Sequence, residues 1–394
     1  MGAAMARSLS RLWLKNLRSL GKAQRAQERL LKRLAPKPAR RPVARKAKPA
    51  KQASPPSSRN TALVARLRPG PPRTALAAAS GTWQKGYSSG VPATGPASSS
   101  VRRLLYWLYL PANPAQAALP LVVMLHGCQQ SATDFATATR MNRLAERKGF
   151  AVLYPQQSVA GDAHRCWPWY KRTLQRGEGE VQVVTGLIAQ VQQRHGLDAA
   201  RTYVAGLSAG AALATLLALR HPQAIAAVGL HSAPVFATVD SALAAYRVMQ
   251  RGAGQAHLAV AQHMADTRPF PSGLPAIVIH GDRDSVVRRV NAGQLTQQLE
   301  IVNRAVLTRL EPIRRSVAAR DTGRSPRRAW TSTTYYAGRK PQLVLCEVAG
   351  LGHEWSGGDD SVKFSARSGP DASAMLWAFF ARHQRPASTW VPAA

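Results

Sequence analysis

Acidic residues are scarce in this chain: 19 Asp and Glu face 54 Lys and Arg, which leaves a formal net charge of +35 over 394 residues. An imbalance of this size must be read by position, because a basic appendage and a basic body meet different partners. Residues 1–73 carry 20 Lys and Arg against Glu28 alone, and residues 304–340 carry 10 basic against two acidic residues. The remainder holds a charge of only +8. Cysteine is scarcer still. Cys128, Cys166 and Cys346 are too few and too scattered for a disulfide scaffold or a zinc site with paired ligands. There is no run of about 18 apolar residues, so no spanning helix is expected. Arg7, Arg11, Lys15, Arg18 and Lys22 interrupt every apolar stretch near the N-terminus. An ordinary secretory signal is therefore not expected, and a cytoplasmic location is.

What is present divides the chain. Residues 1–35 read as a basic amphipathic helix, with Leu9, Leu12, Trp13, Leu17 and Leu20 on one side and Arg7, Arg11, Lys15, Arg18 and Lys22 on the other. Residues 5–34 would suit an anionic or apolar surface, or would simply dock on the chain's own domain. Residues 36–99 are rich in Pro, Ala, Ser and basic residues without periodicity, which predicts a disordered linker. A catalytic domain is expected over 100–386, with a basic insertion at 304–340 and a short tail at 387–394.

Within that domain, apolar strand-type runs alternate with helical stretches. Strands are expected at 104–110, 119–125, 151–154, 202–205, 226–230, 276–279 and 343–348, and helices at 135–147, 181–194, 209–219, 291–300 and 372–383. Continuous apolar strands alternating with helices predict an α/β fold, a doubly wound and mostly parallel sheet covered on both faces. The basic insertion reads as a solvated surface loop.

The chemistry begins at Gly206-Leu207-Ser208-Ala209-Gly210, which lies between an apolar strand and an alanine-rich helix. Small flanking residues permit the strained turn that lifts a serine hydroxyl out of the sheet, and the next helix aims its first amides at developing negative charge. An activated serine needs a base, and an acid to orient that base. On the plan of serine, acid, then histidine, eight of the ten histidines fall too early in the chain, leaving His353 and His383. His353 lies in a glycine-flanked loop straight after a strand and is the expected base. His383 ends a helix beside Arg382 and reads as a surface residue.

For the acid, His280-Gly281-Asp282-Arg283-Asp284 offers two carboxylates after an apolar strand. Asp284 lies farther into the loop and is favoured, with Asp282 as the alternative that ties down the turn. An oxyanion hole would come from the amide of Ala209 and from the loop His126-Gly127-Cys128-Gln129, with Cys128 best placed and Gln129 next. Glu178 and Glu180 precede the serine and suit a helix N-terminus. Cys346 reads as core. No metal and no cofactor is required.

From about Arg102 to His383 the chain also resembles the poly(3-hydroxybutyrate) depolymerase-type esterases of the α/β-hydrolase superfamily. The resemblance rests on His126-Gly127-Cys128, Asp134-Phe135, Arg140-Met141-Asn142, Tyr154-Pro155-Gln156, Arg165-Cys166-Trp167, Gly177-Glu178-Gly179-Glu180, the serine elbow, His280-Gly281 with Asp284, Gly352-His353 with Trp355, and Gly369-Pro370-Asp371-Ala372. It implies Ser208, Asp284 and His353 as catalytic residues, Cys128 in the oxyanion hole, and a Cys128–Cys166 disulfide that pins the Trp167 loop. The alternative is two buried thiols, which a cytosol would keep reduced.

Trp167 and Trp355 are expected to line a substrate cleft, with Trp169 a weaker candidate; each is otherwise a core aromatic. The implied function is a serine esterase acting on short-chain polyhydroxyalkanoate or its oligomers, with residues 5–34 docking on a polymer granule. A feruloyl or acetylxylan esterase is the close alternative. A nonenzymatic granule- or nucleic-acid-binding protein, using the basic tail, is the alternative from another class. An extracellular location, as in secreted members, is the alternative to a cytoplasmic or granule-associated one.

Overall fold

A computed structural model describes residues 80–88, 91–92, 101–113 and 118–386, apart from 238, 268–269, 310 and 322–325. The amphipathic helix expected over 1–35, most of the linker expected over 36–99 and the tail at 387–394 lie outside the described residues.

A ten-stranded sheet organises the chain. Its strands are β1 (Thr82–Tyr87), β4 (Leu105–Leu110), β5 (Leu121–Leu125), β6 (Ala151–Gln156), β7 (Thr202–Leu207), β8 (Ala227–His231), β9 (Ala276–Gly281), β10 (Ile313–Val317), β11 (Trp330–Ala337) and β12 (Lys340–Val348). Two short pairs, β2 (Val91–Pro92) with β3 (Val101–Arg102) and β13 (Trp355–Ser356) with β14 (Ser365–Ala366), lie apart from it. The strand order is β1-β4-β6-β5-β7-β8-β9-β12-β11-β10. The six central strands run parallel, and an antiparallel pair closes each side.

Strands β5, β7, β8 and β9 are buried on both faces, which is why they read as largely apolar runs. Alternate residues enter opposite cores. Leu121, Val123 and Leu125 join one cluster and Val122 and Met124 the other. The first cluster takes in residues of α4 (Glu180–His195), α5 (Ala209–Arg220) and α8 (Val290–Asn303). The second takes in residues of α1 (Ala132–Thr139), α2 (Met141–Lys148) and α9 (Ala372–Phe380). The other helices are α3 (Arg172–Gln175), α6 (Ala242–Arg251) and α7 (Ala256–Thr267).

Four expectations change. The single helix expected over 135–147 is two, because Arg140 adopts φ 52° and ends α1 with its N–H on the Thr137 carbonyl. A left-handed non-glycine residue costs on the order of 1 kcal/mol. Here a capping box of Ser131 and Asp134 fixes the start of α1, and Arg140 itself reaches Asp359 at 3.5 Å. Second, part of the segment expected as linker is structured: β1 pairs with β4, and Trp83 stacks on Trp107 with centroids 5.4 Å apart. Third, the basic insertion is not a loop, since β10 and β11 extend the sheet beyond β12. Fourth, His383 is buried; its Nε2 donates to the Pro341 carbonyl at 3.0 Å, and its own carbonyl accepts from the Tyr203 hydroxyl at 2.7 Å. Burial holds its imidazole down at about 4.

Candidate active site

Five strands, β5-β7-β8-β9-β12, bring the expected residues to one edge of the sheet. Ser208 follows β7, the Cys128 loop follows the adjacent β5, Asp284 follows β9 and His353 follows β12, the neighbour of β9. All five strands are parallel, so these loops leave at their carboxyl ends, where open α/β sheets bind ligands.

Ser208 sits at φ 57°, ψ −121°, between β7 and α5. Such a backbone costs roughly 1–3 kcal/mol for a residue with a side chain. Neighbouring bonds impose it: the Ser208 N–H donates to the His231 carbonyl at 2.9 Å, and the Ser208 carbonyl accepts from Ala212 at 3.0 Å. The flanking glycines have a steric reason. A Cβ on Gly210 would collide with the carbonyl oxygens of Leu125 and His126, and one on Gly206 with the backbone of Gly210. The elbow is thus seated against the end of β5, from which the Cys128 loop departs. Ala209 opens α5, where first-turn amides have no acceptor within the helix.

His353 Nδ1 donates to Asp284 Oδ2 at 2.8 Å. The other carboxylate oxygen, Oδ1, accepts from the amides of Val286 at 3.0 Å and Val287 at 2.9 Å. Burial alone would raise the Asp284 carboxyl, but the charge and hydrogen bond of His353, the nearby His280 and the Val287 amide outweigh it and hold the group down at about 2. Asp284 therefore stays ionised, and it fixes the proton of His353 on Nδ1. Asp282 does otherwise: its Oδ1 accepts from the Gly350 amide at 2.6 Å, tying the acid turn to the loop that carries His353.

The loop after β5, which carries the expected oxyanion donor, is also fixed. His126 is fully buried; Nδ1 donates to the Gly127 carbonyl at 2.8 Å and Nε2 accepts from the Gln157 amide at 3.1 Å. Gln130 Oε1 accepts from the Gly127 amide at 2.9 Å. The Gln129 amide donates to the His164 carbonyl at 2.6 Å and is therefore engaged within the protein. Cys128 is bridged to Cys166, and Cys346 is a buried free thiol.

The cleft expectation is corrected. Trp167 and Trp355 are both 0% exposed and present no surface to a substrate. Each indole N–H has an internal acceptor: Trp167 donates to the His126 carbonyl at 3.0 Å and Trp355 to Ser373 Oγ at 3.2 Å. They pack inside the fold, Trp167 against His126 and Trp355 against His231. Trp169 is also buried.

Two histidines that chain order excluded as the base lie beside the acid. His231 ends β8, stacks on Trp355 with centroids 5.0 Å apart and accepts at Nε2 from the Ser356 amide at 3.2 Å. His280, in β9, donates from Nε2 to the Val287 carbonyl at 2.8 Å and lies 3.7 Å from Asp284 Oδ2. Burial lowers both, His231 to about 3. Their position in otherwise apolar strands was the signal that could have found them.

Similarity to known proteins agrees with this arrangement. Residues 104–322, which carry Ser208 and Asp284, match the family model described as esterase PHB depolymerase. The chain is 28% identical over 247 residues to poly(3-hydroxyalkanoate) depolymerase C of Paucimonas lemoignei, covering 61% of this chain and 55% of that protein. It is 28% identical over 130 residues to acetylxylan esterase A of Talaromyces purpureogenus, covering 32% of this chain and 33% of that one. The chain thus spans about half and a third of these relatives' lengths. An acetyl xylan esterase structure from Aspergillus awamori superposes with a TM-score of 0.58 at 17% identity, over 76% of this chain and 99% of that one, which establishes the shared α/β-hydrolase fold. The chain belongs to the esterase PHB depolymerase family.

Proposed function

We propose that the protein is a serine carboxylic-ester hydrolase acting on short-chain polyhydroxyalkanoate or its oligomers. The observation that carries this reading is the 2.8 Å bond from His353 to a buried, ionised Asp284, in loops that leave the same edge of the parallel sheet as a strained serine elbow. With the Nδ1 proton held by Asp284, Nε2 of His353 is the nitrogen left to accept a proton from Ser208. Ser208 attacks the ester carbonyl, His353 passes the proton to the departing alcohol, and the amides of Ala209 and Cys128 receive the oxyanion. Water, activated by His353, then cleaves the acyl-enzyme.

The depolymerase relative favours a hydroxyalkanoate ester as substrate, while the acetylxylan esterase relatives favour a second reading, an acetyl or feruloyl polysaccharide esterase. A panel of 3-hydroxybutyrate oligomers, acetylated xylan and feruloyl sugars separates the two. Hydrolysis retained in Ser208→Ala would overturn the nucleophile. Docking on a granule through residues 5–34 belongs to the same proposal, with nucleic-acid binding by the basic tail as its rival. The Cys128–Cys166 bridge favours an oxidising compartment. Cell fractionation therefore decides between a cytoplasmic or granule-associated protein and an extracellular one.

A further inference from the structure

A second feature lies against the turn that follows Asp284. Helix α6 presents Leu243, Tyr246, Arg247, Gln250 and Arg251 to an open groove of about 730 Å³ completed by Arg288. Spacings of three and four residues put these side chains on one face of the helix. Gln250 Nε2 donates to the carbonyls of Ser285 and Val286 at 3.1 and 2.9 Å, and its Oε1 accepts from Arg288 Nε at 3.2 Å. The Arg288 amide donates to the Met249 carbonyl at 2.9 Å. The groove is therefore fastened to the turn whose amides hold Asp284.

Three of its six lining residues are arginine and none is acidic, while Leu243, 42% exposed, and Tyr246 supply an apolar flank. Guanidinium groups beside an alkyl-compatible surface fit a carboxylate at the end of a short aliphatic chain. A neutral polysaccharide ester offers no such charge. Resting on the hydrolase reading above, we infer that this groove is a subsite for the free carboxylate terminus of a hydroxyalkanoate oligomer. The protein then prefers soluble oligoester acids over the interior of a neutral polymer.

The test uses the full chain with the 3-hydroxybutyrate trimer and its methyl ester, which share the internal ester linkages and differ in the terminal charge, with hydrolysis followed at the internal linkages. Binding is measured calorimetrically on the Ser208→Ala protein, and hydrolysis on the protein with Ser208 intact. The free acid is expected to bind about tenfold more tightly than the methyl ester at low salt, as charge-assisted bonds from exposed arginines allow. Arg247→Gln combined with Arg251→Gln should bring the two affinities together, as should raising the salt. Equal affinities at the outset, or a preference that survives the double substitution, overturn the inference. Tighter binding of the acid without hydrolysis of either compound upholds the subsite and overturns the hydrolase reading instead.

Discussion

His353 and Asp284 meet at 2.8 Å although 69 residues of chain separate them, and Asp282, only two positions from the acid, binds the Gly350 amide instead. Two carboxylates of one turn thus have different tasks. Asp284→Asn should lower kcat by about three to four orders of magnitude with little change in KM, since an amide no longer favours the Nδ1–H tautomer or the imidazolium. Asp282→Asn should act on the loop instead, lowering unfolding free energy by roughly 1 kcal/mol as its hydrogen bond weakens. Steady-state kinetics and urea melts of both variants distinguish these outcomes.

The strained serine leads to a trade between stability and activity. Ser208→Gly relieves a φ of 57° that glycine adopts freely, so the variant should be inactive yet melt a few degrees higher. Gly210→Ala is its opposite. Its methyl would strike the Leu125 and His126 carbonyls, and a loss of at least about 2 kcal/mol is expected. Thermal melts of the two variants suffice.

Reduction of the Cys128–Cys166 bridge should loosen an oxyanion donor before it unfolds the core. The expected result is a fall in kcat of about tenfold, part of the 10²–10³ that such a donor supplies, with KM little changed. Cys166→Ser should reproduce it. A reduced protein of undiminished kcat would show that the Cys128 amide needs no such support.

Buried histidines make the fold sensitive to mild acid. His126 is held near 4, His231 near 3 and His383 near 4, each mainly by burial, and His280 is also lowered. Their unfolded counterparts titrate near 6.5. Below that pH the unfolded chain binds more protons than the native one, so stability is full above about 6.5 and falls as pH drops toward these lowered values. Each group contributes up to about 1.4 kcal/mol per pH unit. Asp284 works lower: with its folded value near 2, its contribution is present above about 4 and is lost as pH falls through 2. Tryptophan fluorescence against pH should thus show destabilisation beginning near pH 6, above the range of ordinary carboxylates. Unchanged urea midpoints between pH 7 and 5 would refute this.

The sequence was most legible where burial is simplest. Strands β5, β7, β8 and β9 are apolar on both faces, and their ends fall within a few residues of expectation. Ser208 and His353 follow from chain order, and Asp284 from its depth in the turn. Legibility failed where polarity and structure part company. Trp330–Ala337 is rich in threonine and tyrosine, a strand signal that the surrounding arginines obscured. Trp83 lies in a polar stretch and is explained by the distant aromatics it packs on, Trp107, Tyr154 and Tyr109. Trp167 and Trp355 read as cleft residues because sequence gives an aromatic's place but not its direction, and the carbonyl and hydroxyl that accept their N–H groups lie 41 and 18 positions away in the chain.

A ten-stranded sheet has to end somewhere, and one end is β10. A terminal strand leaves main-chain donors and acceptors on offer to any similar strand, the usual route by which sheet proteins zip together into aggregates. In β10 the exposed residues include Arg314 and Arg315. Two molecules approaching rim to rim would bring these guanidinium groups against their own kind. A cationic border of this kind opposes edge-to-edge growth of the sheet, so Arg314→Ser with Arg315→Ser should promote self-association, read by light scattering, before it costs any activity.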